Sequence, residues 1–286
     1  MKNKTLWSDA LNRLFAEKLT IVCFGIIVIY SSIALLAALG IIASDWNTEA
    51  AAAYSFPDFG NLKTIFGTDI FGRSVFYKTL QGTRIAMSVG LCAAMISVPI
   101  GVTLGALAGY FGGVVDDLVV WFYTTLSSIP NILLLTAFTF IMGKGLTSVY
   151  IALGVTSWVS LARLIRGEFI KHKSREYVLA AEALGAGHRV RIFKHILPNA
   201  LHVVIINFSL QFQIAIKTEV ILSYLGLGAV GQPSWGVMID DAKLELSRGV
   251  WWQLAAATVF MFIIVLAFNI FGDALRDALD PKLKKR

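Results

Sequence analysis

Six long apolar stretches, at 19–44, 85–111, 118–142, 148–164, 200–227 and from 251 to about 271, leave this chain little choice of fold. About 20 apolar residues of helix cross the ~30 Å of hydrocarbon in a bilayer. There a backbone must satisfy its own hydrogen bonds, which helices do. The expectation is therefore an all-α integral membrane protein with six transmembrane helices. A mean hydropathy of +0.71 with 15% charged residues fits that class. The first apolar run is too long for the core of a cleavable signal peptide. Cys23 and Cys92 sit inside apolar runs without CxxC spacing and read as small buried hydrophobes.

Several stretches carry more than lipid-facing side chains. Gly101, Gly105 and Gly109 recur at four-residue spacing in the second span and predict close helix–helix contact. The third span holds Ser127, Ser128, Pro130 and Asn131, polar for lipid and containing a residue that bends helices. The fifth is the most polar: Asn207, Gln211 and Thr218 share one face, while Lys217 and Glu219 approach one end. A charge at mid-bilayer costs roughly 2.5–3.5 kcal/mol on insertion scales, so such groups face protein or water. Ser128, Asn131, Asn207, Gln211, Lys217 and Glu219 are thus candidates for the wall of a solute pathway, with interhelical packing the plainer alternative.

Residues 176–199, EYVLAAEALGAGHRVRIFKHILPN, break the apolar pattern most strongly. Tyr177, Ala181 and Leu184 share a helical face. Gly185 and Gly187 end that helix. A short basic helix follows, and Pro198 opens the next. The product is a compact basic helix–turn–helix joined to two spans, a knob suited to a groove on another protein.

At these residues the chain resembles the permease subunits of binding-protein-dependent ABC importers, whose cytoplasmic "EAA" loop it matches at Ala180, Ala181, Gly185, Leu197 and Pro198. Leu179 stands where that loop has glutamate, leaving Glu182 as the acidic candidate, and His195 replaces an isoleucine. Phe66 to Val75 resembles the LGTDxxGRD signature of the oligopeptide/dipeptide permease C-type subfamily at Gly67, Thr68, Asp69, Gly72 and Arg73, departing at Phe66 and Ser74. Asp69 and Arg73 at i, i+4 could also pair. Leu222 to Gly228 and Gln232 to Gly236 match the last external loop of that subfamily, and the Asp280-Pro281-Lys282 tail is similar to its end.

The resemblance implies a type I ABC importer permease fold with cytoplasmic coupling helices. Segments 1–18 and 276–286 would be a cytoplasmic interfacial helix and tail. Residues 19–44 would be the first transmembrane helix, 45–83 an external segment and 84–275 a five-helix core. Implied partners are a second homologous permease, two ABC ATPase subunits, a periplasmic or lipid-anchored substrate-binding protein and membrane lipid. ATP and Mg would sit on the ATPases, with no cofactor on this chain. Ala180, Ala181, Glu182, Gly185, Arg189, Leu197 and Pro198 would form the ATPase-coupling surface, within a bacterial cytoplasmic (inner) membrane.

Charge orients the chain. Most of the 25 Lys and Arg residues fall in 2–18, 163–194 and 276–286, which places both termini and the 176–199 loop in the cytoplasm. The +7 net charge thus reports topology, and no nucleic-acid partner is expected. No GxxxxGK[ST], HExxH, GxSxG or paired Cys/His cluster occurs, so the chain is not expected to be an enzyme. His172, His188, His195 and His202 lack metal-pair spacing. Two other classes remain open: a secondary transporter or channel with Lys217 and Glu219 as charge relay, and a structural scaffold. Cargo identity, whether peptide, nickel complex, glutathione or another solute, is not written in the chain.

Overall fold

The computed structural model describes residues 13–279, so most of the expected N-terminal interfacial helix and the 280–286 tail lie outside the described residues. The described residues are helical, with two isolated β-bridges and no strand among them. In chain order the elements are α1 Lys18–Ala38, α2 Val75–Phe111, α3 Gly113–Ser127, α4 Asn131–Met142, α5 Leu146–Thr156, α6 Val159–Lys173, α7 Glu176–Ala183, α8 Leu197–Tyr224, α9 Trp235–Leu246 and α10 Trp252–Leu279. A turn at His188–Val190 and a π-helical segment, Arg191–Ile196, lead into α8.

Five helical runs are long and apolar enough to cross a bilayer: Lys18–Ala38, Val75–Phe111, Leu146–Lys173, His188–Tyr224 and Trp252–Leu279. α3 and α4 pass the same test only together, and they meet at 88°, the geometry of a broken span or a re-entrant loop. A single bent helix was the expectation for 118–142, but the break is complete. Pro130 has extended dihedrals (φ −54°, ψ 125°) and no N–H to continue the ladder. Its carbonyl instead starts α4 by accepting from Leu133 and Leu134.

The second departure is at the start of α2. Residues 75–83, assigned by sequence to the external segment, are helical. Ser74 caps the helix by accepting from the Tyr77 amide. The polar residues that made this turn look like loop are buried against partners. Lys78 is 2% exposed, and the Gln81 amide donates to the Ala43 carbonyl at 2.9 Å.

α2 is the spine, and its most extensive packing is with α6. The glycine stripe explains the closeness. A methyl group on Gly105 would lie 2.5 Å from the Ala162 carbonyl oxygen, and one on Gly109 would lie 2.5 Å from that of Arg166. On the other side of the bundle, α8 and α10 meet through Phe212 and Phe268, stacked with centroids 4.5 Å apart. α2 runs between two ends of the bundle: it starts beside residues 39–74 and finishes, at Tyr110, beside the 174–196 loop.

Candidate functional site

The 174–196 loop is built on buried anchors and an exposed apolar crest. Val178 and Ala181 of α7 and Ile196 of the π-helical segment are buried beside Phe169 and Ile165 of α6. Gly185 closes α7 in the left-handed region (φ +83°), and the Ala186 amide bonds back to the Ala181 carbonyl at 2.9 Å. That turn leaves Leu184 89% exposed, Leu179 half-exposed and Phe193 65% exposed. Ala180 and Arg189 are also exposed. Pro198 sits in the first turn of α8 as expected. The separate short helix predicted before it is instead continuous with α8. Because Pro198 has no N–H for a bond four residues back, the Leu197 amide reaches Ile192, and the backbone widens into a π turn.

Sequence reasoning missed what holds the loop to the bundle. Tyr110, in the last turn of α2, is buried, and its hydroxyl lies 2.9 Å from His188 Nδ1. The Arg191 guanidinium covers the Tyr110 ring at 5.7 Å and donates to the same His188 nitrogen at 3.1 Å. Arg191 also forms a salt bridge with Glu182. Glu182 is therefore paired within its own loop, with its side chain about half exposed. The available signal was the tyrosine following Gly109 at the end of a glycine-striped helix.

A second candidate region lies at the α3–α4 break. A cavity of about 540 Å³ is lined by Pro130, Asn131, Ser157, Ser160, Arg163, Asn207 and Gln211, among others. The Gln211 amide donates to the Ser157 carbonyl at 2.9 Å, satisfying backbone freed where α5 passes into α6. Its oxygen accepts from Ser97 at 2.7 Å. Asn207 is buried and its Oδ1 has no partner. Arg163 donates to Ser127 Oγ at 2.9 Å over the Tyr123 ring. Three sequence candidates, Asn131, Asn207 and Gln211, thus meet in one space. Ser128 is exposed beside it, its hydroxyl turned to the Thr125 carbonyl, and Ser127 takes the lining position.

Lys217 and Glu219, the other two pathway candidates of α8, are not among the residues lining this cavity. Lys217 is exposed. Glu219 is buried and accepts from Ser223 Oγ at 2.5 Å. Ser223 Oγ in turn accepts from the Ala229 amide at 3.1 Å, so the LSYLGLG turn folds back on its own helix. Lys217 and Glu219 thus sit in different surroundings, one exposed and the other buried.

At the opposite end, the Gly67–Arg73 motif forms a closed network. Asp69 Oδ1 accepts from the amides of Phe71 and Arg73, each at 2.9 Å. Its Oδ2 faces Arg73 Nη2 at 2.7 Å and Lys78 Nζ at 2.9 Å. Burial alone would push the Asp69 carboxyl up, but Lys78 and Arg73 more than offset it and hold it below the usual carboxylate range. Gly72 (φ +69°) admits the chain because a Cβ there would lie 2.2 Å from the Ala51 carbonyl oxygen. The Thr68 carbonyl accepts from Trp252 Nε1 at 2.9 Å, and the Thr68 amide donates to Ser55 at 3.1 Å. The network locks residues 45–74 across the ends of α2 and α10. The sequence had suggested the Asp69–Arg73 pair and overlooked Lys78.

Comparison with known proteins fits this geometry. The family described as binding-protein-dependent transport system inner membrane component matches residues 101–285. An oligopeptide transport system permease protein of Bacillus subtilis is 37% identical over 99% of this chain and 92% of its own length. A dipeptide transport system permease protein of the same organism is 42% identical over 77% of this chain and 69% of its own. A glutathione transport system permease protein of Pectobacterium atrosepticum is 38% identical over 76% and 72%. Among solved structures, the MetNI methionine ABC transporter superposes with a TM-score of 0.54 at 19% identity, covering 71% of this chain and 94% of the other. That likeness shows the fold.

Proposed function

Because this chain belongs to the family of binding-protein-dependent transport system inner membrane components, we propose that it is one of two permease subunits of an ATP-driven importer of peptides or similar small solutes. As a permease subunit it does not hydrolyse ATP. That chemistry, with its nucleotide and Mg, belongs to two ATPase subunits beneath the membrane. A substrate-binding protein delivers cargo from outside.

The observation that carries the reading is the crest of the 174–196 loop. Leu184 and Phe193 are large, apolar and exposed on a segment too basic and too interrupted to lie in lipid. A water-exposed patch of this kind marks a protein contact. Beneath the crest, Glu182–Arg191–Tyr110–His188 ties the loop to α2, so a displacement of the loop passes to the spine of the bundle. Rigid motion of α2 and α6, locked by the glycine stripe, would open the Asn131–Asn207–Gln211 cavity alternately to each side. This reading puts the loop and both termini in the cytoplasm and residues 39–74 outside, in agreement with the basic-residue bias.

Two measurements test it together. A cysteine at Arg189 should react with a membrane-impermeant maleimide only from the cytoplasmic side, and an ATPase subunit should co-purify with the chain in detergent. Labelling from outside would remove the coupling role. A chain that drives uptake with no ATPase attached would favour the secondary-transporter reading.

A further inference from the structure

Beside the Gly67–Arg73 motif, a cleft of about 600 Å³ opens between α9 and the 45–74 segment. Trp46, Tyr54 and Phe71 contribute aromatic walls, and Arg73, Lys78, Asp241 and Glu245 contribute charge. Counting the buried Asp69 beside the cleft, three carboxylates face two cations. The Lys78 ammonium donates to Asp69 Oδ2 at 2.9 Å and Gln253 Oε1 at 2.8 Å and faces Asp241 Oδ2 only at 3.6 Å. Arg73 is turned onto Asp69. Both cations are thus committed to the buried aspartate, and the carboxylates of α9 are left over.

Asp241 is 44% exposed and keeps only the long contact to Lys78. Glu245, one turn further on, is 3% exposed; neither of its oxygens makes a hydrogen bond of ordinary geometry, and only the Ile70 backbone amide approaches it. Other cations nearby are already engaged: Lys243 with Asp240, and Arg248 on Tyr54. A buried carboxylate short of donors costs free energy that a bound cation would recover. Burial pushes the Glu245 carboxyl up, Asp69 and Asp241 add to the rise, and Lys78 and the Ile70 amide oppose it. A divalent metal does not fit, since no group of three His, Cys, Asp or Glu side chains gathers here among the described residues.

We propose that this cleft is a receptor for an organic monocation, a primary ammonium or guanidinium group, which completes the Asp241–Glu245 pair and rests its stem on Trp46 and Tyr54. An alkyl stem on aromatic walls and a charge on paired carboxylates are what lysine, arginine and amines offer. Two sources share that chemistry: the amino group of the cargo, and a basic side chain of the binding protein that delivers it. The source rests on the importer reading; the site itself does not.

The test uses the assembled importer in lipid nanodiscs and n-butylammonium as probe, followed by saturation-transfer NMR, with n-butanol as the uncharged control. Saturable binding of the ammonium but not the alcohol is expected, weakened about tenfold or more by Asp241→Asn and by Glu245→Gln, the loss of roughly one charged contact. Asp241→Asn changes a half-exposed side chain and should fold, and ATPase activity reports that the variants are assembled. If the cargo supplies the cation, a peptide with a free N-terminus displaces the probe and its N-acetylated form does not. If the binding protein supplies it, its docking weakens in both variants and the probe competes with it. Equal binding of ammonium and alcohol, or ammonium binding unchanged in both variants, overturns the site. That result leaves loop topology and ATPase co-purification, and so the importer reading, untouched.

Discussion

The Tyr110 hydroxyl and His188 Nδ1, 2.9 Å apart, join the last turn of the second span to the loop that carries the exposed crest. Seventy-eight residues separate them in sequence, so the bond ties together parts of the chain with no local reason to meet. Tyr110→Phe removes one hydroxyl and keeps the ring that Arg191 covers. The loss of a single partly buried hydrogen bond costs about 0.5–1.5 kcal/mol, too little to unfold the bundle. The expected outcome is near-normal thermal stability with fewer solute molecules imported per ATP hydrolysed. Tyr110→Leu, which also removes the cation–π contact, should lower that ratio further. An unchanged ratio in both variants would show that the loop is driven through α6 or α8 instead.

Asp69 holds together two buried or half-buried cations, so its removal should be costly. Asp69→Asn leaves Lys78 inside the protein with only Gln253 and a distant Asp241. Breaking a buried pair from one side typically costs about 3–5 kcal/mol. Low yield and an early thermal transition in detergent are expected, whereas Asp45→Asn, which breaks the exposed pair with Lys63, should be close to neutral. The pH dependence follows from the depressed Asp69 carboxyl. Its contribution is fully present above the unfolded-state pKa of about 3.9 and is lost as pH falls further, through the folded-state value. Acid should therefore destabilise the wild type below about pH 4, and Asp69→Asn should lack that phase.

Stability and transport should separate at the cavity. Asn207 is buried with its Oδ1 unpartnered, so Asn207→Leu removes an uncompensated polar atom and should leave stability equal or slightly higher. Gln211 bonds Ser97 and Ser157, and Gln211→Leu should cost about 1–3 kcal/mol by stranding both. If the cavity lies on the solute route, Asn207→Leu lowers uptake without lowering the melting temperature. Full uptake by that variant would return Asn207 to a packing role.

Much of this architecture was legible because the bilayer simplifies the code: long apolar runs must be helices, and the glycine stripe at 101, 105 and 109 named its own contact face. The illegible parts share a cause. Residues 75–83 read as loop because Lys78, Gln81 and Thr83 are polar, and only tertiary partners such as Asp69 and Gln253 make a polar helix turn burial-worthy. The full break at Pro130 depends on what fills the gap, which a span-by-span reading does not see. The Glu182–Arg191 pair was illegible because Arg191 approaches from beyond the Gly185–Gly187 turn, and the different surroundings of Lys217 and Glu219 do not show in two neighbouring positions.

Gly185 offers a way to test the crest itself, because its two constraints come apart. Its φ of +83° penalises any L-residue, by about 1–2 kcal/mol. Yet a Cβ there would meet nothing within 4 Å, so size carries no penalty inside this chain. Gly185→Ala and Gly185→Trp should therefore be destabilised to a similar degree, and both should reach the membrane. They differ only in what they present outward beside Leu184. If that surface is gripped by an ATPase, the tryptophan variant should hydrolyse ATP without importing solute, or fail to retain the ATPase, while the alanine variant keeps most of its uptake. Equal uptake by the two would mean that nothing docks closely at this turn, and the coupling contact would have to lie elsewhere on the loop.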